Sequence, residues 1–237
     1  YNLEINSGPA KARNIGLQFA KGKYISFLDV DDTLEKQFLS SLYYHAVQGN
    51  NDFVFCDTKW IENSQHKRKS TFMYDNDKKI EGHELKDLLK ERFLNLKSKG
   101  LLDCKGKLIK RSILEKNNIK FDDKLRYLED EIFLWDLYPF VNRVQYIRKK
   151  LYCYYVHPNQ SSAVVQGLNL GFPIEKFKII SKHIKKSFLN LKCKEEQAIN
   201  QGNQAYIFFI INVLISYSKS IVQGKVEKTI GLENRRK

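Results

Sequence analysis

The sequence predicts an α/β fold: a mixed, mostly parallel sheet flanked by helices, followed by a C-terminal helical extension. Three observations carry this. Strand-like and helix-like segments alternate between Tyr1 and Cys56, a short apolar run ends abruptly in a group of carboxylates, and from Pro173 onward the apolar spacing turns helical.

The chain opens without Met on a strand-like Tyr1-Asn2-Leu3-Glu4-Ile5, which reads as a fragment of a longer protein. Residues 7–22 suit a helix: Ser7 caps, Pro9 fits the first turn, Ala12, Ile15, Gly16 and Phe19 recur on one face, and Gly22 follows the end. Tyr24 to Leu28 is apolar enough for a buried strand and runs into Asp29-Val30-Asp31-Asp32. A second helix is expected after Thr33, with Leu34, Phe38, Leu42 and Ala46 along one side and Gly49 as terminator, then a strand from Asp52 to Cys56.

Lys67 to Lys79 is polar and reads as a loop, Leu85, Leu88, Leu89 and Phe93 mark an amphipathic helix, and residues 128–140 look helical. Tyr146 to Val156, rich in Tyr and closing on Val156, is expected to form a strand pair around Arg148-Lys149-Lys150. Phe177, Ile180, Ile184 and Phe188 are spaced for one buried helical face. Ala205 to Tyr217 is apolar apart from Asn212 and Ser216 but falls short of the roughly 20 residues of a membrane span, so a core helix is expected first and an interfacial helix second.

With 237 residues, 42% of them hydrophobic and 29% charged, and only 12 Gly and 4 Pro, the chain can bury a core without disulfides and is neither disordered nor collagenous. Forty-one basic against 27 acidic side chains leave a net charge of +14. Residues 151–237 alone carry 13 basic and five acidic groups and no Asp. Such a portion suits nucleic acid, an anionic membrane surface or a phosphorylated substrate, and equally an ordinary Lys-rich solvated surface. The four cysteines are widely separated, which argues against zinc, and no secretory signal precedes them, so reduced thiols in a cytoplasmic protein are expected.

Three carboxylates within four positions at a strand end repel one another unless a cation or an opening to water relieves them. Hard oxygen ligands suit Mn²⁺ or Mg²⁺, which bridge to substrate phosphates. Capping of the next helix explains one Asp, not three. Asp29-Val30-Asp31-Asp32-Thr33 resembles the D-x-D-x-T motif of haloacid dehalogenase-type phosphatases, with Asp29 as nucleophile, but that family carries it on the first strand and needs a later Gly-Asp pair, which this sequence lacks.

A second resemblance covers more of the chain. Asn6-Ser7-Gly8, Ala12-Arg13-Asn14-Ile15-Gly16, Ala20-Lys21-Gly22-Lys23-Tyr24 and Asp29-Val30-Asp31 are similar, in order and spacing, to the central segments of glycosyltransferase family 2, whose fold is the GT-A type. Lys107-Leu108-Ile109-Lys110-Arg111, Phe121, Glu129-Asp130-Glu131-Ile132-Phe133 and Tyr154-Tyr155-Val156-His157 resemble later segments, with Tyr155 where Arg is common. The similarity spans residues 1–162, a partial GT-A-like catalytic domain; residues 163–237 form a basic helical extension. The apolar first strand and D-D-G-S segment of such enzymes have no counterpart here, so the chain reads as starting partway into the donor domain.

The resemblance implies a nucleotide diphospho-sugar donor, a glycan or lipid-linked acceptor and inverting hexosyl transfer in bacterial surface glycan assembly. Asp31 would hold Mn²⁺ or Mg²⁺, Asp29 would lie near the ribose, and Asp32 would arrange the loop or the donor sugar. Asp130 would be the base, and His157 a third metal ligand or a structural histidine. Arg13, disfavoured in the first half of a helix, calls for an anionic partner such as the diphosphate or Asp29. Trp60 and Trp135 suit core packing better than sugar stacking. Lys107 suits a phosphate contact or a solvated face equally. No nucleic-acid-binding module is recognisable, so no nucleic-acid partner is expected, whereas the basic tail suits peripheral contact with an anionic membrane.

Overall fold

The computed structural model describes residues 7–62, 72–95, 103–125, 128–156, 174–191 and 200. His157 and the apolar stretch from Ala205 to Tyr217 lie outside them. In chain order the elements are α1 (Gly8–Phe19), β1 (Tyr24–Ile25), β2 (Thr33–Leu34), α2 (Phe38–Gln48), β3 (Phe53–Glu62), β4 (Lys78–Glu81), α3 (Gly82–Asn95), β5 (Lys107–Lys110), α4 (Arg111–Lys116), α5 (Glu129–Leu137), a 3₁₀ turn (Tyr138–Phe140), β6 (Arg143–Val156) and α6 (Ile174–Asn190).

One mixed sheet runs β1-β5-β3-β6-β2, with β4 also paired to β6. The long β3–β6 ladder is parallel and the other pairings are antiparallel. Because β5 is antiparallel to both of its neighbours, β1, β3 and β6 all point the same way, and their carboxyl ends share one edge of the sheet. Strand alternation divides the core: Phe53 and Phe55 of β3 face α5 and α6, while Val54 and Cys56 face Phe38, Leu42 and Ala46 of α2. With both faces covered, β3 carries an unbroken apolar run at its start.

Three expectations change. Helix α2 begins at Phe38, not after Thr33, because Thr33 and Leu34 pair as β2 with Cys153 and Tyr152. The stretch from Arg143 to Val156 is one strand, not a pair: Arg148-Lys149-Lys150 sits in a bulge, where the register with β3 jumps from Cys56 opposite Ile147 to Asp57 opposite Lys150. There β6 exchanges its other neighbour, β4, for β2.

The inward face of α1 is Ala10, Arg13, Asn14 and Leu17, not the predicted Ala12, Ile15, Gly16 and Phe19, and Phe19 is 50% exposed. The helix docks through polar groups. Asn14 donates to the Phe121 carbonyl and accepts from the Phe121 N–H, both at 2.9 Å, and Arg13 reaches two carboxylates.

Helix α6 joins the larger core through Ile180, Ile184 and Phe188, as its spacing predicts. His183 is clamped between Asp136 of α5 (Nδ1, 2.9 Å) and Asp122 (Nε2, 3.2 Å). Its hydrogen bond to the Asp136 carboxylate raises its pKa against the opposing effect of burial, and Asp122 adds to the rise. A histidine raised on folding contributes stability that is complete below its unfolded value of 6.5 and is lost as pH climbs through the raised one. His183→Ala is therefore expected to cost roughly 1–3 kcal/mol at pH 6 and less at pH 8.5, read from urea midpoints.

Candidate active site

The carboxyl edge of β1 leads into a tight turn in which the Asp32 N–H donates to the Asp29 carbonyl at 3.1 Å. Strand β6 pins this turn from below. The Tyr152 hydroxyl donates to Asp32 Oδ2 at 2.7 Å and accepts the Asp29 N–H at 3.3 Å, while the Tyr155 N–H donates to Asp32 Oδ1 at 3.1 Å. Asp32 is only 6% exposed, and burial raises its pKa against those hydrogen bonds. It serves no helix cap.

Asp31 is exposed, and its carboxylate makes no hydrogen bond or ion pair among the described residues. Asp29 lies between these extremes: its Oδ1 accepts from Arg13 at 2.7 Å. A carboxylate with one oxygen paired to a guanidinium is a weaker nucleophile than a free one, which weighs against the phosphatase reading.

Arg13 joins the turn to the acids of α5. Its second terminal nitrogen donates to Glu129 Oε1 at 2.8 Å, and its guanidinium lies 5.4 Å from the Phe121 ring centroid. Burial opposes its charge, yet Asp29 first and Glu129 in addition hold its pKa above the ordinary arginine range. Of the two anionic partners expected for Arg13, Asp29 is the one this geometry supplies, and Glu129 is an addition.

Leu128 precedes α5 in the left-handed region at φ 64°, which turns Glu129, Asp130 and Glu131 into the first helical turn. Asp130 is half-buried and accepts the Glu131 N–H at 2.8 Å. Burial, then Asp103, raises its pKa, opposed by Lys105 and Arg13. A raised carboxylate suits proton abstraction because its proton affinity approaches that needed near neutral pH.

Among the described residues no three His, Cys, Asp or Glu side chains group around a metal position. The free, exposed carboxylate of Asp31 nonetheless fits one hard oxygen ligand of Mn²⁺ or Mg²⁺, ions that take one or two carboxylates and complete their shells with water and substrate phosphate.

The profile described as Glycosyl transferase family 2 matches residues 1–117. An uncharacterized glycosyltransferase of Haemophilus influenzae is 39% identical over 46% of this chain and 49% of its own length. The poly(ribitol-phosphate) beta-N-acetylglucosaminyltransferase TarP of Staphylococcus aureus is 30% identical over 66% of this chain and 44% of its own. Over residues 1–117 the chain is a member of glycosyltransferase family 2. It spans about half the length of these relatives. The S. aureus TarS 1-349 structure in complex with UDP-GlcNAc superposes with a TM-score of 0.66 at 21% identity, covering 88% of this chain and 56% of that one, which places the fold in the GT-A class.

Within this family-2 chain, Trp135 packs in the core at 2% exposure, as expected, but Trp60 is half-buried against Tyr154, ring centroids 4.6 Å apart. Lys107 is neither a solvated cation nor a free phosphate contact. It is 1% exposed and donates to Asp103 Oδ1 at 3.3 Å and the Lys105 carbonyl at 2.8 Å. Sequence reasoning passed over Tyr152, Asp103 and Lys105. Tyr152 lies in a Tyr-rich strand where no position stands out, and Asp103 and Lys105 occupy a polar turn without a motif of their own.

Proposed function

We propose that the protein transfers a sugar from a nucleotide diphospho-sugar to a glycan or lipid-linked acceptor, with inversion, in bacterial surface polysaccharide or glycoconjugate assembly. The observation that carries this reading is the Arg13 bridge, which sets the Asp29–Asp32 turn and the Asp130 turn on two sides of one carboxyl edge. The carboxylate of Asp130 takes the proton of the acceptor hydroxyl. That oxygen forms the new bond to the anomeric carbon, and the bond from that carbon to the diphosphate oxygen breaks, its electron pair leaving with the nucleotide. A bound Mn²⁺ or Mg²⁺ would neutralise charge on the departing diphosphate. Asp31 is the residue offered to hold it, with His157 as a further ligand. Asp29, oriented by Arg13, is left to meet the nucleotide ribose, and Asp32 keeps the turn in shape.

A nucleotide-sugar donor is supported by solved TarS complexes with UDP-GlcNAc and with UDP. No helix among the described residues is long and apolar enough to cross a membrane, and the excess of 13 basic over five acidic groups in residues 151–237 favours peripheral contact with an anionic surface. Calorimetric titration of UDP with and without Mn²⁺ tests the site: Mn²⁺ should tighten binding by about tenfold or more, and Asp31→Asn should remove that gain while leaving metal-free binding unchanged. Equal affinity with and without metal in the parent protein would remove Asp31 from the metal role.

A further inference from the structure

The turn before β5 carries a cation, Lys105, next to Cys104, whose thiol meets the first turn of α5. Gly106 stands at φ 65°, where a Cβ would come within 3.2 Å of the Cys56 carbonyl oxygen, so the chain lies close against β3. Lys107 donates to the Lys105 carbonyl, and the Lys105 N–H donates to Asp103 Oδ1 at 2.9 Å, which fixes the backbone of Lys105 from both sides. Cys104 Sγ lies 3.9 Å from the Asp130 carbonyl oxygen, setting this turn against the first turn of α5. The Lys105 ammonium is held loosely, 3.8 Å from Asp103 Oδ2 and 4.9 Å from the centroid of the Tyr154 ring, and the side chain is only 18% exposed.

We propose that Lys105 is a positioning residue for Asp130: its ammonium, stationed between Asp103 and the face of Tyr154, keeps Asp130 a carboxylate able to accept a proton. This rests on Asp130 as the base. Among the described residues the charges that act on Asp130 are few. Asp103 and Lys105 face it from the turn, Arg13 from α1, and Glu129 and Glu131 flank it on α5. Asp136 and His183, where α6 packs on α5, are engaged with each other. Arg13 is spent on Asp29 and Glu129 at 2.7 and 2.8 Å, which leaves Lys105 as the loosely paired cation of this set. Asp103 pushes the Asp130 proton affinity up while Lys105 pulls it down, so the two make opposite predictions.

The test needs no sugar donor. In the full chain labelled with ¹³C at aspartate carboxyls, the Asp130 resonance is assigned by its loss in Asp130→Asn and followed against pH. Lys105→Met should raise its midpoint by about one pH unit, close to tenfold in proton affinity, Lys105→Arg should restore it, and Asp103→Asn should lower it. A midpoint that Lys105→Met leaves in place, or that Asp103→Asn fails to lower, overturns the proposal. Should Lys105→Met not fold, the Asp103→Asn and Lys105→Arg arms still decide, since a displaced midpoint in the arginine variant also counts against a role for the cation. Absence of sugar transfer with the midpoints moving as stated would strike at Asp130 as base, not at its coupling to Lys105.

Discussion

Arg13→Met is expected to destabilise the protein by roughly 2–4 kcal/mol, because it leaves Glu129 buried beside Asp130 without its cation. The upper end is tempered by Asp29, whose side chain is 33% exposed and keeps some access to water. Burial and then Asp130 already raise the pKa of Glu129, opposed by its own backbone N–H and then by Arg13, so loss of Arg13 lets it rise further. The deficit should therefore shrink as the medium is acidified and Glu129 takes up a proton, visible as converging urea midpoints of variant and parent toward low pH. Arg13→Lys should recover little, since one ammonium cannot span two carboxylates from fixed fork positions. A deficit that does not depend on pH would mean that α1 docks chiefly through Ala10 and Asn14.

Asp130→Asn should lower kcat for sugar transfer by about 10²–10⁴-fold, the span that a positioned general base contributes, while leaving UDP affinity within about twofold. The substitution preserves shape. It should also leave the fold at least as stable at neutral pH: a carboxylate whose pKa rises on folding destabilises the native state once it ionises, and the amide removes that term. In the parent protein, transfer should fall away on the acid side as pH drops through the raised Asp130 value. Unchanged kcat in the folded Asp130→Asn protein would remove Asp130 from the chemistry.

Much of the local grammar is legible in the sequence. Pro9 at the start of α1, the apolar run of β3 and the spacing of Ile180, Ile184 and Phe188 each act within one element, where side-chain periodicity suffices. The carboxylates after β1 announced themselves by mutual repulsion, and the segment order carried the family. What stayed hidden was contact between distant positions. Arg13 meets Glu129 across 116 positions and Tyr152 meets Asp32 across 120; the place of Arg13 in its helix calls for an anionic partner but does not indicate Glu129 or that the polar side of α1 is its buried side. The bulge in β6 was mistaken for a turn because three consecutive cations in a Tyr-rich run look the same in either setting. Only the change of neighbours from β4 to β2 distinguishes them.

That bulge separates two jobs along a single ladder. Before it, Phe53 to Cys56 and Val144 to Ile147 are sealed in the core; beyond it Leu151 to Cys153 stay buried, while Asp57 to Glu62 and Tyr154 to Val156 are half-open. The strands thus resemble a tool with an anchored shank and a working tip, the loosened register isolating one from the other. Tyr154 still packs against the core cluster of Val54, Cys56 and Ile147, so at the tip Trp60 is the aromatic whose exchange asks least of the shank.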